Sequence, residues 1–170
     1  KRPKKKFLYL AGVFDDRVVL VGTKSVAAYS LEAGKPLWTL PIPSAHGRPS
    51  GMGVAVGNRY HLPLGSGQLW SIDLETGKAV SKSTLRDTKQ RLGNLAMYRG
   101  MLLSLNASGL SSFEQRGALE KKIRDRKAQN SRDAWALLRE TDVLLLKRNH
   151  SEALSTLRQI RPQELKDQDL

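Results

Sequence analysis

Few residues in this chain are equipped for chemistry, and they are scattered. Asp15-Asp16 is the one adjacent carboxylate pair among its strand-like segments. Such a pair could start a calcium site, but calcium asks for about six to eight oxygens. Asp15-Asp16 stands between two apolar runs, where Asp is a turn residue. His46, His61 and His150 lie far apart and lack the spacing of a metal-ligand set. Ser44, Ser50 and Ser66 have no base beside them, as a nucleophile would need. Gly51-Met52-Gly53 and Gly65-Ser66-Gly67 lack the strand-to-helix setting and the Lys of a phosphate loop, so both are expected as turns. The chain has no cysteine, which excludes disulfides, thiolate metal sites and thiol catalysis. No catalytic, cofactor-binding or metal-ligating residue is assigned, and the chain is not expected to be an enzyme.

The net charge of +13 points toward an anionic partner, or toward a surface balanced by acidic parts of a longer protein. It is uneven: residues 1–113 hold 16 basic and 6 acidic side chains, and residues 114–170 hold 13 and 10. Arg86, Lys89, Arg91 and Arg99 form a basic stretch. It is expected as a solvated loop, with phosphate or an acidic peptide as the functional alternative. The chain begins Lys1-Arg2-Pro3-Lys4-Lys5-Lys6, without Met, and is expected to be a piece of a longer protein. No apolar run reaches the roughly 18 residues of a membrane helix.

The elements that must position these residues come as a repeat. Val26-Ala27-Ala28-Tyr29-Ser30-Leu31-Glu32-Ala33-Gly34-Lys35 returns 43 residues later as Leu69-Trp70-Ser71-Ile72-Asp73-Leu74-Glu75-Thr76-Gly77-Lys78. Each copy is an alternating strand that runs into a Gly-Lys turn. Around the first copy, Phe7–Phe14, Val18–Val21, Val26–Leu31 and Pro36–Leu40 predict four strands. Around the second, Val54–Val56, Arg59–Leu64, Gln68–Leu74 and Ala79–Ser83 do the same. A third copy, Asn94–Tyr98, Met101–Leu105 and Gly109–Phe113, stops without a Gly-Lys turn or a fourth strand. Four-stranded units at this period are propeller blades. Trp38 and Trp70 are phased with the repeat and are expected as core between blades.

Helices follow. Gly117–Gln129 is a charged helix with expected Glu120–Arg124 and Lys121–Asp125 pairs. Asn130 or Ser131 is expected to cap a second, with Ala134, Trp135, Leu137, Leu138, Thr141, Leu144 and Leu145 on its apolar face. Ser151 is expected to cap a third, ended by Pro162. The last two resemble a tetratricopeptide-type hairpin, which must dock on something to bury its face.

Gly22, Thr23, Leu31, Gly34, Lys35, Leu37 and Trp38 in the first copy, and Gly65, Ser66, Ile72, Asp73, Thr76, Gly77 and Lys78 in the second, resemble the quinoprotein-like (PQQ-like) β-propeller repeat. The resemblance covers roughly residues 7–113. It implies a bacterial envelope protein, planctomycete-type in combining such a propeller with tetratricopeptide-like helices; the BamB-type outer-membrane assembly lipoprotein shares the propeller. Ser30 replaces the family's Asp and Ser81 its docking Trp. A quinoprotein dehydrogenase would need a catalytic Asp, a calcium site and a stacking Trp. Many such propellers are scaffolds without a cofactor.

The expected fold is therefore mainly β plus α: a partial β-propeller of two to three four-stranded blades over 1–113, the C-terminal part of a larger propeller, then a helical, tetratricopeptide-like segment over 114–170. The expected function is a non-enzymatic scaffold for unidentified protein partners in the periplasm or cell envelope, without cofactor. The alternatives are a basic domain binding nucleic acid or another anionic polymer, and an inert portion of a quinoprotein dehydrogenase. Unclosed blades leave sheet faces and edges open, so marginal stability or association is expected.

Overall fold

Strand, turn and strand follow one another as the alternation of the sequence requires. The computed structural model describes residues 7–84 and 91–161. In the first sheet β1 (Phe7–Phe14), β2 (Arg17–Gly22), β3 (Ser25–Ser30) and β4 (Pro36–Pro41) run in chain order, each antiparallel to the last. Pro36 opens the outer strand, where its missing N–H costs no ladder bond. In the second sheet β5 (Val54–Val56), β6 (Arg59–Pro63), β7 (Gln68–Asp73) and β8 (Ala79–Thr84) repeat that order. The third holds β9 (Asn94–Tyr98), β10 (Met101–Asn106) and β11 (Gly109–Glu114), in the order β11-β10-β9. Register preserves the repeat: Trp38 lies opposite Ala28, and Ser81 opposite Ser71, 43 residues on.

Neighbouring sheets bury one another's faces. Val19, Val21, Val26 and Ala28 of the first share a core with Tyr60, Leu62, Leu64, Trp70, Ile72 and Leu74 of the second. Leu92, Leu95 and Leu102 of the third blade region pack with Val54 and Leu69 of the second. The face of β1 bearing Leu8, Leu10 and Val13 stays about half exposed, at 51%, 52% and 49%. In this repeat, that is the kind of face a neighbouring blade covers.

The chain divides into two units, Lys1–Phe113 and Glu114–Leu170. In the second, α1 (Arg116–Gln129) packs on α2 (Ala134–Leu146), and α2 on α3 (His150–Leu157). Ile123, Ala136 and Val143 form its core, with Leu119 and Trp135 against them.

Four local expectations are corrected. The N-cap of α2 is Asp133, whose carboxylate accepts from Ala136 N at 2.8 Å. Asn130 is occupied instead in ending α1, and its side chain accepts from Arg132 N at 3.0 Å. The N-cap of α3 is Asn149, which accepts from Glu152 N, so Ser151 lies inside the helix. Helix α3 ends at Leu157, ahead of Pro162, which lies outside the described residues. Lys121 pairs with Asp125 at 2.7 Å as expected. Glu120 turns instead to Arg116 at 3.1 Å and to Lys147 of the α2–α3 turn at 3.3 Å. The Arg116 hydrogen bond first, then Lys147, holds its carboxyl below the usual glutamate range.

Candidate functional site

The carboxylates flagged by the sequence are spent on turns. Asp15 adopts a left-handed conformation (φ 50°) at the β1–β2 turn. Asp16 accepts from Leu31 N at 3.1 Å, Glu32 N at 3.2 Å and Ser30 Oγ at 3.0 Å. In the second blade the carboxylate is on the other side of the same contact. Asp73 accepts from Thr76 N and Thr76 Oγ at 2.8 Å each and from Glu75 N at 3.1 Å, while Asn58 donates to it at 3.3 Å. Ser30 stands where Asp73 stands, so the first blade's departure from the repeat is compensated by moving the acid to Asp16. The Thr76 hydrogen bonds hold the Asp73 carboxyl below the usual aspartate range.

A pH dependence follows. A carboxyl with a depressed folded pKa stabilises the fold above its unfolded value, and that stability is lost as pH falls through the folded pKa. Between about pH 5 and about pH 3, thermal unfolding of the wild type should fall more steeply than that of Asp73→Asn. Parallel profiles would show that Asp73 contributes nothing.

The tryptophans are architectural. Trp38 Nε1 donates to Leu74 O at 3.1 Å, tying the first blade to the turn of the second. Its ring fills the place of a side chain at Gly77: a Cβ there would lie 2.4 Å from Trp38 Cδ2. Ser81 at the matching position has no indole to offer the third blade. That seam is made by the Gly51-Met52-Gly53 segment. It is not a simple turn: Met52 N donates to Asn94 Oδ1 at 2.9 Å, and Leu95 N donates to Met52 O at 2.8 Å. Tyr9 and Tyr60 clasp the same segment, Tyr9 OH donating to Gly51 O at 3.1 Å and Gly53 N donating to Tyr60 OH at 3.0 Å. Burial raises both phenols' pKa, so they stay protonated donors. Trp70 is buried, with Nε1 donating to Gln68 Oε1 at 3.0 Å, the His46 ring on its edge and Lys82 Nζ 4.2 Å from its ring centre. Trp135 is half-buried, with Lys122 and Arg126 over its ring.

His61 has a partner that sequence reasoning missed. Ser71 Oγ lies 2.9 Å from His61 Nδ1, across the β6–β7 pair. Hydroxyl against imidazole is nucleophile-and-base geometry. Ser71, however, is 7% exposed, and its contact is that of a cross-strand pair satisfying a buried hydroxyl. Burial first, then Arg59, lowers the imidazole pKa, which keeps the ring neutral. Among the described residues no group of three or more His, Cys, Asp or Glu could hold a metal.

Of the basic stretch, the two described residues, Arg91 and Arg99, stand at opposite ends of a strand. Arg99 sits in the β9–β10 turn (φ 46°) with its guanidinium 5.2 Å from the Tyr98 ring centre. Arg91 precedes β9, at the opposite end of a strand roughly 16 Å long. Arg86 and Lys89 lie outside the described residues. Arg91 instead lines a cleft of 790 Å³ with Arg48, Ser50, Asn106, Ser108 and Ser111. A second cleft, of 490 Å³, holds Thr23, Lys24, Ser44, Gly47 and again Arg48. The spacing of 43 between Arg48 and Arg91 was the available sequence signal.

Sheet order and repeat define the first unit as part of a β-propeller, followed in the chain by helices. No protein-family model matches the chain, and no curated protein does. Among solved structures it is similar to BamB from Moraxella catarrhalis, at 20% identity over 61% of this chain and 31% of that one, with a TM-score of 0.46. It is similar to the WD40 domain of Neurospora crassa Pan2, at 18% identity over 66% of this chain and 32% of that one, with a TM-score of 0.48. It is also similar to the computationally designed Ika4 protein, at 14% identity over 61% and 63% of the two chains, with a TM-score of 0.48. The chain thus spans about a third of the BamB and Pan2 structures it matches. Among the described residues, no helix is long and apolar enough to cross a membrane.

Proposed function

We propose that the chain is part of a non-enzymatic scaffold, built of PQQ-like blades and tetratricopeptide-like helices, that binds protein partners in the cell envelope. One observation carries this reading: the side chains best equipped for chemistry are committed to architecture. Asp16 and Asp73 hold turns, Trp38 and Tyr9 tie blades together, and His61 with Ser71 joins two strands. What the chain offers outward is surface. On the helices Leu145, Leu146, Leu154 and Leu157 are 45–58% exposed, apolar surface of the sort that repeat helices use for docking. The envelope placement rests on the resemblance of the blade repeat.

The test is capture from an envelope extract with the chain as bait, washed at low and at high salt. Protein partners retained at high salt are expected, because apolar contacts are not screened. Loss of every protein at high salt would remove this reading.

A further inference from the structure

The antiparallel order of each blade sorts the loops into two ends. The β1–β2 and β3–β4 turns, with their counterparts in the later blades, lie at one end. The β2–β3 turn and the connectors between blades lie at the other. Apart from Lys82, which lies within β8 over the Trp70 ring, the described charges of the first unit divide along that line. All five described carboxylates of the first unit, Asp15, Asp16, Glu32, Asp73 and Glu75, are at the first end. Arg17, Lys35, Arg59, Lys78 and Arg99 are there too, so that end is balanced. The connector end holds Lys24, Arg48 and Arg91 and, among the described residues, no carboxylate. Neither Arg48 nor Arg91 takes part in any ion pair found among the described residues.

These three cations lie along two consecutive clefts, with Arg48 lining both. A compact anion would need one of them. Two guanidiniums one repeat apart, with Lys24 lining the same cleft as the first, match an extended ligand with several negative charges. The hydroxyls and amide of Ser44, Ser50, Asn106, Ser108 and Ser111 add neutral hydrogen-bonding groups beside the guanidinium forks, which suit carboxylates. No described residue lining either cleft is aromatic, whereas single-stranded nucleic acid is held by stacking on aromatic rings. We propose that the connector end, through Arg48 and Arg91 with Lys24 beside them, is the docking site for an acidic, extended peptide segment of a partner protein. This rests on the scaffold reading and adds a salt-sensitive, charged contact to the apolar, salt-resistant one expected of the helices.

The test uses fluorescein-labelled hexaglutamate and labelled oligothymidylate, with binding to the full chain followed by fluorescence anisotropy. Arg48→Glu/Arg91→Glu should weaken hexaglutamate binding by at least about tenfold, as lost charge-assisted bonds do. Lys35→Glu/Lys78→Glu makes the same charge change at the balanced end and should alter it less than about twofold. Both pairs are exposed, and matching unfolding midpoints confirm folding; Arg48→Gln/Arg91→Gln replaces the first pair if its midpoint drops. Equal weakening by both pairs overturns the proposal, because net charge alone would then explain binding. Tighter binding of oligothymidylate than of hexaglutamate also overturns it. If Arg48→Glu/Arg91→Glu still captures its protein partners at high salt while hexaglutamate binding is absent from the wild type, this inference fails and the scaffold reading stands.

Discussion

Trp70→Ala is expected to cost the blade unit about 3–5 kcal/mol, the usual loss for removing a large buried aromatic. Trp70 is 1% exposed and lies in the core that joins the first two sheets. The substitution leaves a cavity and removes the partner of Gln68, the edge contact of His46 and the ring under Lys82. Small domains hold only about 5–15 kcal/mol in total, so the loss would bring the unit near unfolding at ordinary temperature. Urea unfolding followed by near-ultraviolet circular dichroism reads it as a fall in the midpoint. A midpoint unchanged by the substitution would mean that the two sheets do not share this core.

Gly51→Ala should do comparable damage from a smaller change, at about 1–3 kcal/mol. A Cβ at Gly51 would sit 2.2 Å from Gly93 C and 2.3 Å from Gly93 O. Both are backbone atoms, so no rotamer change can relieve the clash, and the second and third blades must separate. Gly34→Ala is the comparison. Gly34 has φ 63° but no atom within 4 Å of the added Cβ, so only the left-handed backbone is penalised, at about 1 kcal/mol. A larger loss at Gly34 than at Gly51 would contradict the close seam.

Much of the blade architecture was legible because its signals are local. Apolar, β-prone runs bounded by turn residues marked the strands Phe7–Phe14 and Asn94–Tyr98 to the residue, and the 43-residue repeat made the sheets comparable. Trp70 proved to be core for the reason expected, a large apolar ring in phase with the repeat. The misses depend on register or on competition between neighbours. Asp133 displaced Asn130 and Ser131 as a cap because four residues, 130–133, separate α1 from α2 and Asp133 is the last of them. The contact of His61 with Ser71 exists only once β6 and β7 are aligned, and no spacing rule shows it. Arg91 and Arg99 are near in sequence, yet a strand separates them; Arg91 and Arg48 are distant, yet the repeat returns them to one end. The Asp16–Ser30 exchange with Asn58–Asp73 is hidden because the acid moves to the partner strand, so no single position of the repeat keeps it.

The central claim is that the chemically equipped side chains of the blades serve structure while the surface serves binding. It is tested most directly by the double variant Asp16→Ala/Asp73→Ala, with thermal unfolding and partner capture measured on one preparation. The account predicts a lower unfolding temperature, since both turns lose their acceptors, and unchanged capture at temperatures where the variant is folded. An unchanged unfolding temperature with capture abolished would contradict it, because the two carboxylates would then belong to a functional site.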